Sequence, residues 1–188
     1  MKRLSETSAL PRLRKIKDEL RSQASVYEQN ASSCATCLTP GACCLDEHFV
    51  NVHISRLEAV AIATVLDQLP AIRRAAAEER IANTASRLSK NGGLRAATFA
   101  CPLYEKGTGC LVHDEAKPVP CILHGCYQRA EDLPPDSLQD IAESAVNRLN
   151  ERVYGHSTFE PLPVAVHAIL RTRRMKAMTS PARNHAAT

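Results

Sequence analysis

The chain has no tryptophan, and only three phenylalanines and four tyrosines in 188 residues. Large aromatic side chains supply much of an ordinary core's buried area, so this core has to be built from aliphatic residues, chiefly Leu and Ala. No stretch approaches the ~18 consecutive apolar residues that a membrane-spanning helix needs. The N-terminus starts basic, with Lys2 and Arg3, but no apolar run follows. The expectation is therefore a protein without a secretory signal, held in the cytoplasm where thiols stay reduced. A glycine-rich nucleotide loop is also lacking, as are a clear carboxylate pair and a Ser/His/Asp arrangement. Asp114 and Glu115 are adjacent acids in a loop, a pattern that is usually just solvated. These absences weigh against an enzyme.

What the chain does have is cysteine. Eight are present, about 4 % of the residues and below the level of a disulfide scaffold. They are segregated into two stretches. The first reads Cys34-x2-Cys37-x5-Cys43-Cys44, and the second reads Cys101-x8-Cys110-x10-Cys121-x4-Cys126. In a reducing compartment such a set points to metal rather than to disulfides. A C-x2-C pair lets the chain turn so that both sulfurs face one ion. Its close followers Cys43 and Cys44 make a thioredoxin-like dithiol a poor reading. Neighbouring side chains point apart, so Cys43 and Cys44 either serve two centres or divide between ligation and packing. Cys101-Pro102 matches the cysteine–proline step of bacterial ferredoxin runs, and a second C-x2-C knuckle of the zinc-ribbon kind is missing. Both points tilt the choice slightly toward iron or an iron–sulfur cluster over zinc. His113, in Cys110-x2-His113, has a chelating spacing. His124 and His48 also lie near cysteines, whereas His53, His156 and His167 read as structural residues on helices or strands.

The formal charge is +4. Two divalent ions, each held by four thiolates, would add −4 and bring the total to about zero, so the basicity is weak evidence for nucleic acid. The positive charge sits at the ends, with seven Lys/Arg against three acids in residues 1–21 and five against none in residues 171–188. No aromatics interleave with them for base stacking.

The fold read from periodicity is mainly α, a small single helical domain with two cysteine-rich metal-binding loops. Residues 1–30 form an N-terminal amphipathic helix or arm, helical from about Pro11 with Leu13, Ile16 and Leu20 inward and Arg14, Lys15 and Lys17 between them. Residues 31–178 form the cysteine-cluster domain, and 179–188 a disordered tail. Phe49 to Ile54 alternates as a short strand. Ser55-Arg-Leu-Glu58 is a capping box opening a helix with Leu57, Val60, Ala61, Val65, Leu66 and Leu69 on its apolar face. Pro70 separates this from a helix over Ala71–Lys90, which the Asn91-Gly92-Gly93 stop ends. A further helix runs about Asp136 to Val153, with Leu138, Ile141, Ala145, Val146, Leu149 and Val153 inward. Ser157-Thr-Phe-Glu160 reads as a second capping box, before a last helix to about Met175.

The cysteine stretches, with VNVHISRLEAVAIATVL after the first and CPLYEKGTGCLVHDEAKPVPC forming most of the second, resemble the YkgJ-type cysteine-cluster family, described as a zinc- or iron-chelating domain. Cys34, Cys37, Cys43, Cys44, Cys101, Cys110 and Cys121 match its pattern over residues 34–126. The family commonly closes with Arg-Pro-x-x-Cys-Arg. Here Lys117-Pro118 stands for Arg-Pro, Ile122 replaces the final Arg, and Cys126 lies outside the pattern. The resemblance implies a chelating protein of undefined biological role, with zinc, iron or an iron–sulfur cluster held by these cysteines. A related cluster occurs in flagellin lysine methylases, which keeps a modifying enzyme as one alternative. A zinc-stabilised adaptor for protein or nucleic acid is the other.

Overall fold

The capping box at Ser55 forms in the computed structural model, which describes residues 3–32, 38–48, 50–90 and 98–179. Ser55 Oγ accepts from the Glu58 N–H at 3.3 Å, and Glu58 Oε2 accepts from the Ser55 N–H at 3.1 Å. Two of the N–H groups that a helix start leaves without partners are thereby satisfied. The helix they open, α3 in chain order, spans Arg56–Asp67 and is buried on nearly every side, through Leu57, Ala59, Val60, Ile62, Ala63 and Leu66.

The other long helices pack against it in two groups. On one side lie α4 (Ala71–Lys90) and α7 (Leu162–Thr179), with Ile81, Leu88, Val166 and Leu170 facing inward. On the other lie α1 (Glu6–Glu28), α6 (Asp136–Tyr154) and the short α5 (Val119–Leu123), meeting through Leu13, Leu20, Ile122, Val146 and Leu149. Leu57 belongs to this second cluster and Ile62 to the first, so α3 is the wall between two small cores. Each fully buried Leu, Ile or Val contributes about 1.5–3 kcal/mol. Phe99 is fully buried in the first cluster.

Strand content is small and brief. β2 (His53–Ser55) pairs antiparallel with β6 (Phe159–Pro161), His53 opposite Pro161 and Ser55 opposite Phe159. Each strand runs directly into a helix, α3 and α7 respectively, so this ladder sets where both begin. β1 (Ala31–Ser32) pairs with β5 (Cys126–Tyr127), and β3 (Tyr104–Glu105) with β4 (Gly109–Cys110).

The mainly helical reading holds, and so do the bounds of α4. Five local expectations are corrected. The first helix begins at Glu6, not near Pro11: Ser5 caps it by accepting from the Ser8 N–H, and Pro11 is accommodated within its second turn. Ser157–Glu160 does not cap a helix, because Phe159–Pro161 is claimed by pairing with β2. Ile141 is 66 % exposed and Ala142 takes its inward place. α7 continues past Met175 to Thr179. His156 is on no regular element: it follows Gly155, whose φ of +82° ends α6 in a left-handed cap. The Asn91–Gly93 stop and residues 180–188 lie outside the described residues, as does Phe49.

Candidate functional site

The first cysteine stretch is shaped by Gly41. Its φ of +81° turns the chain into α2 (Ala42–Leu45), a single helical turn that carries Cys43 and Cys44. The Gly41 carbonyl accepts from the Cys44 and Leu45 N–H groups at 2.9 and 3.0 Å. Tyr104, from the second stretch, lies flat on Gly41, where a Cβ would stand 1.9 Å from the ring carbon Cζ. Its hydroxyl donates to the Pro40 carbonyl at 2.8 Å. The Cys101 N–H donates to the Cys44 carbonyl at 2.7 Å, and the Phe99 N–H to that of Val50 at 2.9 Å. Two segments 57 positions apart (101 − 44) are thus stitched main chain to main chain beside the cysteines.

The second stretch is a series of tight turns held against α4. Gly107 and Gly109, with φ of +82° and +98°, close the β3–β4 hairpin and set Tyr104 opposite Cys110. Glu105 accepts from Arg73 at 2.6 and 3.2 Å, and the Pro102 carbonyl accepts from Arg80 Nε at 3.1 Å. Pro118 is the N-cap of α5, the short helix that carries Cys121, and Pro120 sits in its first turn, where the helix itself offers an N–H no acceptor.

α5 is anchored by Glu58, which the sequence marks only as part of the capping box at Ser55. Glu58 Oε1 accepts from the Val119 N–H at 3.3 Å and lies 3.1 Å from Lys17 Nζ. Both side chains are almost wholly buried, at 1 % and 3 % exposure. Lys17 Nζ meets Glu58 as an ion pair, without a directed hydrogen bond. The pair joins α1, α3 and α5 at a point close enough to Cys121 for the carboxylate to bear on its thiol. Lys17 was expected to lie between the inward positions of the first helix. It is in fact on the inward face, in register with Leu13, Leu20 and Ala24.

The described cysteines sense one another. Burial, first, and then the nearby Cys43, Cys101 and Cys110 push the Cys44 thiol far above its ordinary range. Burial and then Cys101 and Cys110 push Cys121 up to about 12, against a partial offset from Lys117. Cys101 is pushed up to about 11, again chiefly by burial, with Arg80 pulling the other way. Cys110 is raised by burial and drawn down by the Val112 N–H and Lys117. In the metal-free chain these are protonated thiols at neutral pH, and Cys43, Cys44, Cys101, Cys110 and Cys121 form no disulfide.

Cys44, Cys101 and Cys110 thus lie within electrostatic reach of one another, and Cys121 within reach of Cys101 and Cys110. Cys126 sits in β5 opposite Ser32, beside the start of the first stretch. Cys34 and Cys37 lie outside the described residues. Among the described residues, no three Cys, His, Asp or Glu side chains stand ready-placed around a metal ion. The donor chemistry suits a thiophilic cation. His113 and His48 are exposed on the loops, the His113 carbonyl accepting from Arg21. Desolvation, followed by Lys117, lowers the pKa of His124. A hollow of about 510 Å³ lies elsewhere, lined by His53, Ser157, Thr158 and Phe159, and contains no cysteine. Among the described residues, no helix is long and apolar enough to cross a membrane.

No family model, no curated protein and no solved structure matches this chain. What the fold defines is a mainly helical single domain, with Cys101 and Cys110 packed against its first core.

Proposed function

We propose that this is a metal-chelating protein whose centre is built from both cysteine stretches. Cys44, Cys101, Cys110 and Cys121 are its nucleus. Cys43, Cys126 and, outside the described residues, Cys34 and Cys37 are the remaining candidate donors. The observation that carries the reading is the 2.7 Å main-chain bond from the Cys101 N–H to the Cys44 carbonyl, which holds the two cysteine stretches side by side, with Cys101 and Cys110 near enough to raise the Cys44 thiol. Bringing thiols together only for packing would incur desolvation and, on ionisation, repulsion. A cation reverses both terms, because the ligand form of cysteine is the thiolate. The resemblance in cysteine spacing to the YkgJ-type cluster family supports the same conclusion.

Thiolates favour zinc, iron and iron–sulfur clusters among common biological metals. The Cys101-Pro102 step and the missing second C-x2-C knuckle favour iron. The chain's own part is to position the sulfurs through Gly41, Tyr104 and the Glu58–Val119 bond, and to shield them from water. A bound metal would add structural cross-linking or, as a cluster, electron transfer. The sequence offers no clear carboxylate pair or Ser/His/Asp arrangement beside the cysteines, which favours a chelating over a catalytic protein. Arg173 and Arg174, part of the basic C-terminal stretch, are engaged by Asp67 and Glu78, which weakens the phosphate-binding alternative.

Metal analysis of protein purified without oxygen tests the proposal. Stoichiometric iron with broad visible absorption supports a cluster, and colourless protein with stoichiometric zinc supports a structural ion. Protein that contains neither, and takes up neither on reconstitution, refutes the reading.

A further inference from the structure

Three arginines, Arg73, Arg80 and Arg87, recur every seven residues along α4 and so share one face of that helix. That face meets the cysteine stretches. Arg73 reaches Glu105, just after the Cys101 turn, and Arg87 reaches Glu47, just after Cys43 and Cys44. The middle one differs. Arg80 Nε donates to the Pro102 carbonyl at 3.1 Å, while its Nη2 is buried and meets no acceptor among the described residues. Its neighbours on the stripe each have a carboxylate; Arg80 has a cysteine turn.

A buried guanidinium donor without an acceptor is costly and is rarely left so. Arg80 lies close enough to Cys101 to act on its thiol. Once a metal binds, that thiol loses its proton to the solvent and its sulfur becomes an anion bonded to the metal. A centre of four thiolates around a divalent ion carries a net −2, which a buried site must offset.

We infer that Arg80 is the charge-compensating positioning residue of the cysteine centre, its Nε fixing the turn after Cys101 and its unpartnered Nη2 donating to the Cys101 sulfur when metal is bound. Arg80 is not a ligand. The inference rests on the metal-chelating reading and adds a residue that no cysteine spacing marks.

The test compares two substitutions in the full chain under reducing conditions. Arg80→Gln keeps a donor for the Pro102 carbonyl and removes the charge; Arg80→Lys keeps the charge and loses the fork. Zinc affinity is measured by chelator competition, the thiolate-to-cobalt charge-transfer band by cobalt substitution, and metal-free stability by urea unfolding. Loss of one charge-assisted hydrogen bond predicts roughly 10- to 100-fold weaker zinc binding in Arg80→Gln, with a shifted charge-transfer band. Arg80→Lys recovers most of that affinity, and the metal-free urea midpoints of the two variants agree. Wild-type affinity in Arg80→Gln, or Arg80→Lys binding no better than Arg80→Gln, overturns the role of Arg80 while leaving the centre intact. Wild-type protein that binds no metal overturns the chelating reading, and this inference with it.

Discussion

Gly41 is the residue at which the first cysteine stretch is most tightly determined. Two constraints coincide there: a left-handed backbone and the Tyr104 ring lying where a side chain would be. Gly41→Ala is expected to destabilise the fold by about 1–3 kcal/mol, since strain of this kind is costly for any residue but glycine. Tyr104→Phe, which loses only the bond to the Pro40 carbonyl, should cost about 1 kcal/mol. Urea unfolding of the two variants separates them, and equal midpoints would show that the ring does not clamp the loop. The Lys17–Glu58 pair makes a second prediction. Lys17→Met leaves a buried carboxylate without its cation and should cost about 3–5 kcal/mol. Adding Glu58→Gln removes the stranded charge but keeps an acceptor oxygen for only one of the Ser55 and Val119 N–H groups, so the double variant should recover part of the loss. A double variant no more stable than Lys17→Met would mean that the charges are not what couples these residues.

At the scale of the elements, what could be read from the chain was what is local. The capping box at Ser55–Glu58 and the helix after Pro70 are written in contiguous residues and form as read. The failures have non-local causes. Ser157–Glu160 carries a valid capping pattern, yet its end is taken by a strand pairing with residues about a hundred positions earlier. Lys17 looked like solvent-facing charge because Glu58 stands 41 positions away (58 − 17), although its spacing from Leu13 already placed it on the inward face. The candidate cysteines were visible at once from their clustering. The parts played beside them by Glu58 and Tyr104 were not, because each acts across the fold. The β2–β6 ladder should accordingly matter to both helices it feeds. Ile54→Ala, at a fully buried position in β2, is expected to cost about 2–5 kcal/mol in a single cooperative urea transition. Separate transitions would show that α3 and α7 do not unfold as one unit.

Across the whole molecule, the raised thiol pKa values make stability depend on pH in a defined direction. In the folded, metal-free chain Cys101 and Cys121 hold their protons to about 11 and 12, against an ordinary value of 9.0. The unfolded chain therefore loses these protons first, and the folded state binds more of them between those limits. Stability from this source is fully present below about pH 9 and lost as pH rises toward 12. Cys44 and Cys110 shift in the same sense. Urea midpoints measured with chelator present should fall over that range, and fall less in Cys121→Ala. An identical decline in that variant would place the effect elsewhere. On the proposed function a bound metal would reverse the dependence, because thiolate ligation displaces protons and strengthens as pH rises.

The central claim is that the two cysteine stretches share one metal. It is tested most directly by measuring bound metal per chain, after purification without oxygen, in wild type and in Cys44→Ser and Cys101→Ser, one substitution from each stretch. A shared centre predicts that either substitution alone lowers the metal content and the melting temperature of the loaded protein, with the double variant little worse than the singles. Full metal content in either single variant, or losses that simply add in the double, would contradict it.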